Sequence, residues 1–383
     1  MFKNLHELIA TMPDEKTCRE YLAKQRWEDG KPICPYCGHG KCYVIENSRR
    51  YKCGSPSCYK KFSVTVGTIF EASNIPLNKW FMAIYLIGSH KKGISSYQIA
   101  KDIGVSQKCG WFMLHRIREL MRVKIDVKLD NIVEIDEVYM GGKVGNMSKR
   151  KRTMLREAGL TLKTKTMVMG MVERSGNLKL IALGKDNSNF VLQPVIKENV
   201  DKDAVVISDS HGGYFGLNDH FAAHEIVNHK DNEYVRDSVF HTNTIEGAFS
   251  HFKRSIYGIY HQCSVKHLSR YCDETMFRYN LRKMTDTERF NLSLTQIEGR
   301  LKYKDLKAFK GNPNENEQVT FFPIMETKHG NKKSVLQFKN GQLVGKYPTI
   351  IEASRQTGIA PDMIRRVLKG IKHTTSGYEW KYE

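Results

Sequence analysis

A chain of 383 residues is longer than one hydrophobic core keeps growing, and its 40% apolar content is enough to build two to four compact units. Sixty-one Lys and Arg against 41 Asp and Glu give a formal charge of +20, which favours a polyanionic partner, nucleic acid first, over an acidic small molecule, with a merely basic surface as the plain alternative. No stretch approaches the ~20 apolar residues of a membrane span, the N-terminus has no secretory signal pattern, and nine cysteines, an odd number, argue against a disulfide framework in the cytoplasmic or nucleoid setting this implies.

Five of the nine cysteines fall between residues 34 and 58. Cys34 and Cys37 form a C-x-x-C knuckle, Cys53 and Cys58 a looser C-x4-C pair, and "YVIENSRRYK" between them reads as a hairpin. Four thiolates from two turns can enclose a tetrahedral Zn2+, so a zinc ribbon is expected, with Cys42 as the spare thiol. Unliganded buried thiols are the other reading. "FSVTVGTIF" follows as a β-rich run, and then Trp80, Phe81, Ile84, Tyr85 and Ile87 recur at helical spacing after Pro76. Residues 93–120 read as a helix from Ser96 to Asp102, a turn at Gly104, a Ser106 cap and a longer helix carrying Arg116 and Arg118. That is a helix-turn-helix whose second helix exposes cations to DNA; a helical hairpin packed only for stability is the alternative.

"IVEIDEVYMGG", residues 132–142, reads as a strand with Val133, Ile135 and Glu137 on one face and Glu134, Asp136 and Val138 on the other. A carboxylate at Asp136 is tolerable if it stays ionised against a cation, and a divalent metal is one way to do so. Residues 142–166 are a strongly basic excursion, either a solvated loop or a contact to DNA backbone. Further strands flank a hairpin turn at Ser175 to Asn177. In "DAVVISDSHGGY" a buried strand ends at Asp209, before the Gly212–Gly213 turn. Ile245, Phe249, Phe252 and Ile256 then mark an amphipathic helix that projects Glu246 and, two turns on, Lys253 beside the core-facing stripe. Glu246 has a structural alternative, as capping-box partner of an Asn243 N-cap. Beyond a polar linker starting at residue 311 come a hairpin turning at Asn340–Gly341 and helices near 349–357 and 361–369 separated by Gly358. Arg365, Arg366, Lys369 and Lys372 make this tail a DNA-binding candidate, against a folded cap without DNA contact.

Asp136, Asp209 and Glu246, on two strands and a helix, form the minimum set for two divalent ions bridged at a phosphate. The order "CREYLAKQRWEDGKPICPYCG", "KFSVTVGTIF", "EIDEVYMGG", "SDSHGGY", "HTNTIEGAFSHFKR", "RYCDETMFRYNLR" resembles the bacterial insertion-sequence DDE transposases with an N-terminal zinc ribbon, the ISXO2-like group related to Merlin elements. The likeness runs from about residue 5 to residue 308. The tail, with "EASRQTG", "IRRVLKG" and "GYEWKY", is similar to the modular DNA-binding repeat at the ends of homing endonucleases.

The resemblance implies a multidomain α+β protein. An N-terminal helix and zinc ribbon (1–72) and a helix-turn-helix (73–127) precede a ribonuclease H-like α/β catalytic domain (128–285). A helical extension (286–310), a linker (311–333) and a DNA-binding module of hairpin plus helix-turn-helix (334–383) follow. It implies catalytic Asp136, Asp209 and Glu246 holding Mg2+ or Mn2+, Lys253 as basic partner, and structural Zn2+ on Cys34, Cys37, Cys53 and Cys58; His241 and Asn243 match the approach to the helix. It implies a transposase that binds double-stranded DNA at element ends, cleaves a strand and transfers it into target DNA. A homo-oligomer, at least a dimer on DNA, is expected, without a membrane partner. A transposase-derived regulator without catalysis and a nuclease of the same fold that cuts without joining are the competing readings.

Overall fold

The computed structural model describes residues 2–27, 30–46, 49–124, 128–141, 148–157, 165–184, 187–227, 240–261, 263–308, 320–321, 334–348, 350–359, 361–368, 374 and 377–382. Helix α1 (Leu5–Thr11) starts on Asn4 and α2 (Glu15–Arg26) on Asp14, each cap side chain accepting a first-turn N–H. Strands β1 (Cys42–Ile45) and β2 (Arg50–Cys53) pair antiparallel with Cys42 opposite Cys53, and β3 (Lys61–Phe62) adds to β2. The β-rich run expected at 62–70 is a correction. Only its first residue lies in β3, and the chain then turns through Thr65–Thr68 and Phe70–Ser73, with a single bridge from Thr68 to Glu298.

Helix α3 (Leu77–Ser89) begins after Pro76 and buries the expected apolar stripe. The pair α4 (Ser96–Ile103) and α5 (Gln107–Leu120) is joined through Gly104 in the left-handed region (φ 62°), with Ser106 capping α5. Gly110 lets the two helices close, since a Cβ there would sit 3.0 Å from the Ser96 carbonyl oxygen. The expectation that α5 offers Arg116 and Arg118 to solvent is overturned, because they are 5% and 2% exposed. Arg116 donates to the carbonyls of Ile69 (2.7 Å), Glu71 and Leu301, and Arg118 pairs with Glu274 at 2.7 Å. The exposed face of this pair is made instead by Tyr97, Lys101, Gln107 and Lys108.

After β4 (Val123–Lys124) come β5 (Ile132–Met140), α6 (Lys149–Glu157), β6 (Thr166–Glu173), β7 (Leu178–Gly184), α7 (Asn189–Asn199), β8 (Val205–Asp209), β9 (Ala223–Val227), α8 (Asn243–Arg254) and α9 (Leu268–Asn280). The strands form one sheet in the order β7-β6-β5-β8-β9, antiparallel across β7-β6-β5 and parallel across β5-β8-β9. Ser175, with φ 63°, turns β6 into β7 as expected. One face packs Val133, Ile135, Met169 and Val206 against Leu192 and Ile196 of α7 and Tyr214. The other packs Val138, Val168 and Val172 against Ile245, Phe249, Phe252 and Ile256 and the α9 residues Leu268 and Cys272. Of this stripe, Ile245, Phe249 and Phe252 lie on α8 and Ile256 on the π-helical segment Ser255–Tyr260 that continues it; each is worth roughly 2 kcal/mol of burial, which fixes the helix face. The basic excursion is described only at 148–157 and 165–166, so its remainder lies outside the described residues.

Helix α10 (Asp286–Thr295) packs back on the first core, where Phe290 and Leu294 meet Phe81 and its neighbours and Tyr21 donates to Asn291 (2.6 Å). After α11 (Tyr303–Ala308), β10 (Thr320–Phe321) pairs in parallel with β4. The tail has its own core, built from β11 (Val335–Lys339), β12 (Gln342–Tyr347), α12 (Ile350–Thr357), α13 (Pro361–Leu368) and β13 (Glu379–Tyr382). Asn340 and Gly341 both have positive φ, as the hairpin turn demands. Strand β13, not expected as a strand, pairs with β11 and brings Trp380 into that core. Lys369 and Lys372 lie outside the described residues.

Candidate active site and cysteine metal centre

The cysteine knuckles meet at the end of the β1–β2 hairpin. Cys34 and Cys58 sulfurs are 3.9 Å apart, Cys37 and Cys53 sulfurs 3.6 Å, and all four lie within 4.8 Å of one another. Zn–S bonds of about 2.3 Å in a tetrahedron require sulfurs about 3.8 Å apart, so the donor set fits a structural Zn2+. Burial works against the Cys34 thiolate, but N–H groups of Tyr36 and Cys37 outweigh it and hold the thiol at about 7, near the form a metal needs. Cys42 is the spare, its sulfur facing the His39 carbonyl at 3.5 Å.

The parallel register of β5 and β8 pairs Glu134 with Ile207. The paired register ends there; Asp209 closes β8 two residues on, while Asp136 lies mid-strand in β5, near enough for the Asp209 charge to act on its carboxyl. Asp136 also lies opposite Gly170 of β6. An ideal Cβ at Gly170 would stand 2.6 Å from the Phe249 ring and 2.7 Å from Ile245 Cδ1. This glycine therefore lets α8 press onto the sheet next to Asp136, which brings Glu246 to the same region. Burial pushes the Asp136 carboxyl up to about 7; the Glu137 N–H opposes this, and the carboxylates of Glu137, Asp209 and Glu246 add to it. These like charges lie near enough to act on Asp136, and a divalent cation would reverse their mutual cost. Among the described residues only the cysteines bring three or more ligand atoms within 4.8 Å, so the acids form an open set rather than a closed cage.

The remaining carboxylates of β5 have different tasks. Glu137 points to the other face, where Tyr214 donates to it; burial comes first among the causes raising its carboxyl, and Asp209 adds to them. His211 is tied to Asn187 (3.0 Å), and its N–H donates to Asp209 (3.0 Å). Glu134 is fully buried, on the Asp136 side of the strand. It pairs with Arg174 (2.7 Å) and accepts from the N–H groups of Thr244 (2.8 Å) and Ile245 (3.0 Å) and the Thr244 hydroxyl (2.9 Å).

The start of α8 therefore differs from the local capping-box alternative. Thr242, not Asn243, is the N-cap residue and makes no side-chain cap bond, while its hydroxyl donates to Glu246 (3.0 Å). His241 sits 3.4 Å from Glu134 and its carbonyl accepts from Arg174 (3.1 Å). Burial, then the neighbouring Arg174, lowers its imidazole pKa. Asn243 and Lys253 are exposed on α8. Glu134 and Gly170 went unassigned in the sequence reading. Their signals were present: an acid two residues before Asp136 on the same face, and a glycine inside an apolar strand.

Residues 128–280 match the model of the ISXO2-like transposase domain, and residues 13–61 that of the transposase zinc-ribbon domain. Over 261 residues the chain is 28% identical to an uncharacterized protein in transposable element ISH50 of Halobacterium salinarum, covering 64% of this chain and 84% of that protein. No helix among the described residues is long and apolar enough to cross a membrane.

Proposed function

We propose that this chain, which joins a transposase zinc ribbon to an ISXO2-like transposase domain, is a DNA transposase that cuts at element ends and joins the freed 3′-hydroxyl to target DNA. The observation that carries the reading is the parallel pairing of β5 with β8, which leaves Asp209 close enough to act on the Asp136 carboxyl, next to the glycine that admits α8 and Glu246. Three antiparallel strands continued by two parallel ones, with helices on both faces, support a ribonuclease H-like domain over 128–285.

In this reading Asp136, Asp209 and Glu246 bind Mg2+ or Mn2+, which when bound activates the attacking oxygen and offsets charge on the scissile phosphate. The Thr242 hydroxyl and the N–H of His211 orient Glu246 and Asp209. Lys253, exposed two turns beyond Glu246, contributes positive charge to the DNA strand end. The zinc ribbon (1–72), the α4–α5 pair (73–127) and the tail (334–383) grip double-stranded DNA, the α4–α5 pair through Tyr97, Lys101, Gln107 and Lys108. Residues 286–308 brace the N-terminal modules, and the linker expected at 311–333 lies outside the described residues except at 320–321. Two protomers act on paired ends.

Incubating the zinc-loaded protein with Mg2+, a 3′-hydroxyl donor end and target DNA separates the readings. Joined product supports the transposase, cut product alone a nuclease, and binding alone a regulator. Asp136→Asn is expected to abolish both products while DNA affinity stays near wild type. A fully active variant refutes the assignment.

A further inference from the structure

We propose that Glu134 is a positioning residue for the acidic site: its carboxylate locks the first turn of α8 onto β5 and so sets where Glu246 stands relative to Asp136. This rests on the assignment of Asp136, Asp209 and Glu246 as ion-binding groups.

The first-turn N–H groups of any α-helix have no partner within the helix and carry the positive end of its dipole. Usually a local side chain satisfies them. In α8 no side-chain cap bond comes from the N-cap residue; one oxygen of Glu134, 110 residues before Thr244, accepts the Thr244 and Ile245 N–H groups, and its other oxygen accepts the Thr244 hydroxyl. The carboxylate is fully buried, and Arg174 at 2.7 Å balances its charge while also holding the His241 carbonyl just ahead of the helix. A buried charge with this many donors has little freedom to move. Glu134 and Asp136 share one face of one strand, and the helix turn capped by Glu134 carries Glu246 at the residue after Ile245. The path from Asp136 to Glu246 therefore runs through two residues of strand, one carboxylate and one or two residues of helix. Gly170 governs how closely the helix body lies on the sheet; Glu134 governs where it begins.

A residue holding ligands in place alters ion affinity without touching the ion, and loss of such outer contacts typically costs about 10- to 100-fold. The test is Mn2+ titration of the zinc-loaded full chain, with hydrogen exchange at the Thr244 and Ile245 amides and DNA-end affinity measured alongside. Glu134→Gln keeps the shape and one acceptor but loses the charge. It is expected to weaken Mn2+ binding on the order of 10-fold or more, speed exchange at those two amides, and leave DNA affinity unchanged. Thr244→Val removes only the hydroxyl donor, and a several-fold weakening is expected; it decides the matter if Glu134→Gln does not fold. Folded Glu134→Gln, or failing that Thr244→Val, with wild-type Mn2+ affinity overturns the proposal when Asp136→Asn has lost that binding. If Asp136→Asn binds Mn2+ as wild type does, the site assignment fails instead, and the positioning role falls with it.

Discussion

Asp136 is the residue at which burial and three neighbouring carboxylates all act against a negative charge, whereas Glu134, two residues away, is deeper and fully compensated by Arg174 and helix N–H groups. Burial alone thus does not separate the acid proposed to bind an ion from a structural one; the partners do. The same logic applies to His115 and His267, which pack between α5 and α9 with ring centroids 4.8 Å apart. Burial, followed by Arg118 for His115 and by Lys266 and Arg118 for His267, drives His115 far below its ordinary value and His267 down to about 4. Both native pKa values lie below the unfolded value of about 6.5, so the unfolded chain takes up more protons as pH falls, and stability is lost from about pH 6.5 downward toward 4. Denaturant melts between pH 4 and 8 should show this decline. His115→Phe, which keeps an aromatic ring beside Trp111, should flatten it; an unchanged slope would show that these imidazoles do not set acid sensitivity.

At the scale of single elements, the periodicity of α8 was legible in the sequence, and all four expected stripe residues are buried. Its cap was not, because the partner comes from a strand far along the chain and no local pattern encodes that meeting. Arg116 and Arg118 show the converse. Cations near the end of α5 read as solvent-facing, yet carbonyls from residues 69, 71 and 301 and the carboxylate of Glu274 enclose them. The run at 62–70 is rich in β-branched residues, but among the described residues it pairs after β3 only through the Thr68–Glu298 bridge and closes into turns. Gly170 supplies the test of how α8 meets the sheet. Gly170→Ala places a methyl within 2.7 Å of Ile245 and Phe249, so the helix must shift. Overpacking of this kind costs about 1–3 kcal/mol. The expected result is a lower melting temperature together with a cleavage loss exceeding any loss of DNA affinity. Wild-type cleavage in a folded Gly170→Ala protein would show that Glu246 tolerates the displacement.

For the whole molecule, the spacing of four cysteines sufficed to find the sulfurs that cluster in a Zn2+-compatible set and to leave out Cys42, because thiolate geometry is set within two short turns. The tail was legible for a similar reason: its Asn340–Gly341 turn and helix spacing are local, and only the closing strand β13 needed a distant partner. The proposed acidic site draws on residues 136, 209 and 246, and its signal in the sequence lay in the three acids taken together; Asp209 ends β8, but Asp136 lies mid-strand in β5. The return of α10 to the N-terminal core had no sequence signal beyond an apolar helix face. The most direct measurement is anomalous scattering from Mn2+ in crystals of the zinc-loaded protein bound to a DNA end. The account predicts manganese peaks within about 2.5 Å of carboxylate oxygens of Asp136, Asp209 and Glu246 and beside one backbone phosphate. Peaks elsewhere, or these three carboxylates engaged separately by arginines with no metal between them, would contradict it.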